Sequence, residues 1–132
     1  MAFPIDPIYI SEAEQILHLK FPLDFKEKMV VENGGAIQSG EDDWELIPFF
    51  DRADYKRMSR TCNHIVLETN KAREWQGFPQ DAVAIATNGY GDYLVLIKSK
   101  EEQNKLDNGV YLWSHETSIL TQIAENFNEL IA

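Results

Sequence analysis

Three short runs between residues 82 and 114, AVAIA, YLVLIKS and GVYLWS, are rich in β-branched and aromatic residues and are separated by glycine and polar turns. They read as strands and as neighbours in one sheet. Between the first two lies Asn88-Gly89-Tyr90-Gly91-Asp92. A dinucleotide fingerprint needs a third glycine and a helix after the loop, so that the backbone can approach a pyrophosphate at a helix N-terminus. Here Asp92-Tyr93-Leu94 leads into strand residues instead. A Walker A loop fails too, because no Gly-Lys-Ser or Gly-Lys-Thr follows. Asn-Gly is a common source of positive φ angles, so the segment is expected to turn a hairpin.

The N-terminal part carries helical signals. Ser11-Glu12-Ala13-Glu14 has the S-x-x-E pattern of a capping box and predicts a helix over about residues 11–20. Phe21-Pro22-Leu23-Asp24 restarts the chain, and Phe25, Met29 and Val30 are spaced for one buried face. Asn33-Gly34-Gly35 is expected to end that helix. An acidic loop, Gly40-Glu41-Asp42-Asp43, then leads into a strand signalled by Trp44 and Leu46 with Glu45 opposite, while Pro48 marks an edge or a strand end. Residues 51–76 hold two helical pieces, with Ile65, Leu67, Ala72 and Trp75 as the packed face of the second. A final helix is expected from Thr117, on the stripe Ile119, Leu120, Ile123, Ala124, Phe127, Leu130 and Ile131.

At 132 residues the chain reads as one domain spanning 1–132, able to bury roughly two thirds of its unfolded surface. The lone Cys62 excludes an internal disulfide and a multi-cysteine zinc site, which fits a reducing compartment. The N-terminus has no basic start and no long apolar run, and nowhere do about 18 apolar residues follow one another. Neither export nor a membrane span is expected. Twelve basic against 22 acidic residues give a formal charge of −10, which repels phosphate backbones and attracts basic surfaces. Direct nucleic-acid binding is not expected.

The histidines His18, His64 and His115 lie far apart and form no H-E-x-x-H pair. His115 reads as a strand-end or capping residue, and Cys62 as a small buried apolar residue and not the partner of His64 in a catalytic pair. No G-x-S-x-G elbow is present. The cluster Glu41, Asp42, Asp43 and Glu45 lacks the order of a calcium loop and reads as a solvated charge run or an acidic docking surface. Trp44 and Trp113 read as core or sheet residues. Acids clustered with His115 would suit a small hydrolase or metal enzyme only if spatially convergent.

The element order resembles the SUKH superfamily, in its Smi/Knr-like branch. Phe21-Pro22-Leu23-Asp24-Phe25 leading to Asn33-Gly34-Gly35, Trp44 with Ile47-Pro48, Ala84-Ile85-Ala86 through Gly91-Asp92, and Val110-Tyr111-Leu112-Trp113-Ser114-His115-Glu116 carry the resemblance. It implies an α+β fold with a twisted, mostly antiparallel sheet and helices packed against it. It also implies an immunity protein that binds and blocks a cognate toxin, often a nuclease; the expectation drawn from it is a cytoplasmic protein that acts by stoichiometric occlusion, without cofactor or metal. The alternative it implies is a regulatory interaction module with no toxin partner. Glu41, Asp42, Asp43 and Glu45 are the candidates for charge pairing, Asp92 and Glu116 lie near sheet-connected loops, and Trp44 would support or line the same face.

Overall fold

Asp6 and Pro7, not Ser11, start the first helix. The Asp6 carboxylate accepts a hydrogen bond from the Ile8 amide at 3.0 Å, and Pro7 occupies the first helical position, where its missing N–H costs nothing. In the computed structural model, which describes residues 2–40 and 42–131, α1 therefore covers Pro7–Leu17. Ser11 lies within that helix, so the expected capping box does not form. Glu14 instead turns inward, accepting from the Phe21 amide at 2.8 Å and sitting 3.3 Å from Lys26 Nζ. The two residues that suggested a cap thus include a buried tether to the next helix.

α2 spans Leu23–Val31 and buries Phe25 and Met29, as their spacing predicts. It stops before Asn33-Gly34-Gly35, where the glycines hold φ of 120° and 94°. Asn33 is buried there. Its Oδ1 accepts from the Phe49 amide at 2.8 Å and its Nδ2 donates to the Phe49 carbonyl at 2.9 Å.

Six strands follow: β1 Gly35–Ser39, β2 Asp42–Leu46, β3 Ala82–Thr87, β4 Tyr93–Ile97, β5 Val110–Trp113 and β6 Leu120–Ala124. Each pairs antiparallel with its chain neighbours, in the order β1-β2-β3-β4-β5-β6. Two helices, α3 Tyr55–Arg60 and α4 Ile65–Ala72, intervene between β2 and β3, and α5 Phe127–Ile131 comes after β6. The fold is α+β, with a curled antiparallel sheet and packed helices. α5 touches both edge strands, β1 and β6, across the opening of the curl.

Two aromatic groups fill the core. Phe25 meets Phe127 edge-on at 5.0 Å and Phe21 meets Phe49 at 5.0 Å, tying α2, α5 and the segment after β2 together. Phe78 packs edge-on against Trp113 at 5.1 Å and Tyr93 at 5.9 Å. The central strand β3 is buried from Ala82 to Ala86, and the Thr69 hydroxyl of α4 accepts from the Ala84 amide at 3.1 Å.

Some expectations change. The final helix does not begin at Thr117: residues 120–124 form β6, with Leu120 opposite Trp113, and only 127–131 are helical. Pairing with β5 overrides a stripe that also has helical spacing, and Ile119 is exposed, outside any buried face. β1 has no strong β pattern of its own and takes its place in the sheet from its pairing with β2. In α4, Ile65 and Ala72 are buried, whereas Leu67 and, beyond the helix, Trp75 are exposed. Cys62 is exposed and not buried, because it lies in the turn between α3 and α4.

Candidate functional site

An antiparallel meander places alternate connections at opposite ends of its sheet. The β1–β2, β3–β4 and β5–β6 connections share one end, and the sequence candidates gather there. Asp42 and Asp43 open β2, Asp92 closes the β3–β4 turn, and Glu116 lies in the β5–β6 connection. Glu41 lies outside the described residues. Asp43 and Glu45 point to the exposed side of β2, whereas Trp44 and Leu46 point into the core. Trp44 therefore supports the acidic face from beneath and does not line it.

The β3–β4 segment is a turn, as its glycines predict. Gly89 and Gly91 have φ of 81° and 98°, and Asn88 Oδ1 accepts from the Tyr90 amide at 2.9 Å. Its geometry also positions Asp92. That carboxylate accepts from the His115 amide at 3.0 Å, lies 2.7 Å from His115 Nδ1, and accepts from Asn88 Nδ2 at 3.1 Å. Partial desolvation opposes ionisation, but the bonds from the His115 amide, the His115 ring and Asn88 outweigh it, so the carboxyl titrates below its ordinary value. Gly91 leaves room for the ring: a Cβ there would stand 3.1 Å from the imidazole.

Three exposed apolar side chains lie on segments next to this pair in the chain or in space: Tyr90 (76% exposed) on the β3–β4 turn, Ile119 (60%) on the β5–β6 connection and Trp75 (49%) after α4. Trp75 stands 6.4 Å from the His115 ring. Its loop is held by Trp113 Nε1, which donates to the Gly77 carbonyl at 3.2 Å. Sequence reasoning assigned Trp75 and Ile119 to packed helical faces and placed Tyr90 only in a turn. A tyrosine between two turn glycines is the one local signal that pointed outward.

Carboxylates without an ion-pair partner occur in several places among the described residues, Glu27, Glu101, Asp107 and Glu129 included. Lys20 and Lys26 lie near Glu14, Lys28 near Glu32, Arg52 near Glu12, and Arg57 near Asp51 and Asp54. Among the described residues, Asp42, Asp43, Glu45 and Glu116 have no ion-pair partner. The hairpin end thus carries uncompensated negative charge. No hydrogen bond or ion pair joins the β2 carboxylates to the Asp92–His115 pair among the described residues, so they share an end of the sheet without forming one constellation.

A cleft of about 510 Å³ opens beside β1, lined by Phe3, Asn33, Glu45, Arg57 and Thr61 among others. Its polar groups hold one another: Asp51 stands 3.4 Å from Arg57, and its amide donates to Thr61 Oγ1 at 2.9 Å. Among the described residues no three histidine, cysteine or carboxylate side chains cluster as metal ligands. No helix of the described residues is long and apolar enough to cross a membrane.

The family model described as the SMI1 / KNR4 family (SUKH-1) matches residues 4–132, nearly the whole length. The chain belongs to this family. No curated protein matches it. The SUKH-1 match takes in the segments of all five helices and all six strands, so the hairpin end lies within the matched region.

Proposed function

We propose that this SUKH-1 chain is a cytoplasmic immunity protein that neutralises a cognate bacterial polymorphic toxin by stoichiometric occlusion, with no chemistry of its own. The observation that supports it best is the set of carboxylates without ion-pair partners at the hairpin end, beside exposed Trp75, Tyr90 and Ile119. A nuclease attracts polyanionic substrate and so presents a basic active face. Carboxylates compete for such a face through fast, salt-sensitive association, and aromatic residues supply the desolvated contacts that slow release. The formal charge of −10 acts in the same direction.

The test is capture of partners by the tagged protein in its native strain at low and high salt, with identification by mass spectrometry. A stoichiometric toxin domain, released by salt, is the expected result. Asp42→Lys, Asp43→Lys and Glu45→Lys together bring the formal charge from −10 to −4, because each reversal adds two. They should slow association by roughly tenfold or more at low salt and flatten its salt dependence. Recovery of host regulators alone would replace the immunity reading with that of a regulatory interaction module.

A further inference from the structure

The two edges of the sheet are unlike each other. β6 is guarded: its pairing with β5 is irregular between Val110 and Tyr111, and Gln122 Nε2 donates to the Ala124 carbonyl at 3.2 Å, occupying a backbone acceptor with a side chain. β1 carries neither device, although α5 touches it. Its five residues, Gly35-Ala36-Ile37-Gln38-Ser39, contain no charge and no proline, and its register with β2 runs without a bulge. Proteins commonly blunt an open edge by one of these means, because its outward amides and carbonyls invite another strand.

Among the described residues, no hydrogen bond outside the β1–β2 ladder reaches residues 36–40. α5 touches β1, and Phe127 of that helix is buried against Phe25, but among the described residues no hydrogen bond joins the helix to the strand. Ala36 and Gln38 are exposed. Their cross-strand neighbours are Glu45 and Asp43, respectively, and neither carboxylate has an ion-pair partner.

We propose that β1 is the docking edge for an extended segment of a basic protein partner, which adds to the sheet as a seventh strand. The ladder supplies main-chain hydrogen bonds, and the side-chain alternation sets the sequence that fits. Residues of the incoming strand on the Ala36–Gln38 side would be cationic. The Ala36 methyl is too short to screen Glu45, and uncharged Gln38 does not repel a cation reaching for Asp43. Residues on the Ile37 side would be apolar, since Ile37 is only partly buried. Arg57 and Arg60 line the cleft together with Ala36 and Glu45, but Asp51 and Asp54 lie 3.4 and 3.3 Å from Arg57 and Arg60 lies over the Phe3 ring at 4.6 Å, so both are held away from the Asp43 side of the edge. A second copy of this chain fits less well, since it would bring a second charge of −10 to the same edge. The choice of a basic partner rests on the function proposed above; the open edge does not.

The probe is a blocked synthetic peptide of about eight residues alternating arginine and valine, long enough to cover one ordinary strand. Its control keeps the arginines and carries proline in place of valine. Binding of the first should slow amide exchange within residues 35–39, and the double variant Ala36→Lys, Gln38→Lys should weaken it at least roughly tenfold. Both positions are exposed, and an unchanged melting temperature would show that the variant folds. Asp43→Asn with Glu45→Gln leaves the edge intact and should lower affinity and its salt dependence together. Equal binding of the proline control, or protection that avoids β1, overturns the proposal. So does a dimer of the free protein that Gln38→Lys dissociates, because the edge then pairs with itself. A captured toxin whose affinity ignores Ala36→Lys and Gln38→Lys would refute strand addition while leaving the immunity reading standing. Peptide addition without any toxin would do the reverse.

Discussion

Replacing Asn33 by alanine isolates the contact that fixes the start of β1. The Asn33 side chain closes both polar groups of Phe49 at 2.8 and 2.9 Å, and both residues are buried, so water replaces these bonds only in part. Each hydrogen bond contributes about 1 kcal/mol net, and a buried polar group left without a partner costs about 1–3 kcal/mol. Two stranded groups that partly relax toward the neighbouring cleft give an expected loss of about 3 kcal/mol. At about 2.1 cal/mol/K per residue, a chain of 132 residues unfolds with an entropy near 0.28 kcal/mol/K, so the melting temperature should fall by about 10 °C. Calorimetry and urea titration together test this, with an unchanged m-value expected. Asn33→Asp is the sharper comparison: it keeps the acceptor for the Phe49 amide and turns a donor into an oxygen facing a carbonyl, so it should rescue little at neutral pH. A fall of less than about 3 °C for Asn33→Ala would refute the clamp and leave Asn33 as a mere helix terminator.

Gly91→Ala places a Cβ at φ 98° and 3.1 Å from the imidazole, and should cost about 2 kcal/mol while shifting the His115 ring resonances. The Asp92 carboxyl is depressed in the folded state, so its contribution is present above its ordinary value and is lost as pH falls below about 4. Asp92→Asn should therefore flatten the acid limb of the melting curve, and an unaltered limb would count against the pair. His64 Nδ1 accepts from the Leu67 amide at 3.3 Å, and burial lowers its affinity for a proton. The neutral ring caps α4, so that contribution is complete above the ordinary histidine value of about 6.5 and declines as pH falls below it; His64→Ala should cost about 1 kcal/mol at pH 8 and less under acid, read by thermal melts.

Where local chemistry had one reading, the sequence was legible. Asn88-Gly89 with glycine at 91 admits few conformations, and the turn and its flanking strands lie where they were expected. Where one pattern serves two structures, only tertiary pairing decides. Residues 119–124 suit a helical stripe and a strand alike, and Trp113 opposite Leu120 selects the strand. Ser11 to Glu14 could cap a helix, but Asp6-Pro7 upstream does so better, which frees Glu14 for Phe21 and Lys26. At the hairpin end, Asp92 and His115 were singled out separately. Their 2.7 Å approach depends on the register of β4 with β5, which no local motif encodes. Trp75 was assigned by helical spacing to a face that the helix, ending at Ala72, never reaches.

The placement of α5 also sets an order of events during synthesis. Each strand pairs with a chain neighbour, so β3, β4 and β5 can assemble through local hairpins as they emerge. α5 follows all six strands and yet touches the first of them, β1, as well as the sixth. The curl therefore cannot close until residue 131 has left the ribosome. Until then the first hairpin of a nascent chain is held through β3 alone and lacks its contact with α5, and a partner that recognises the closed sheet meets only finished molecules.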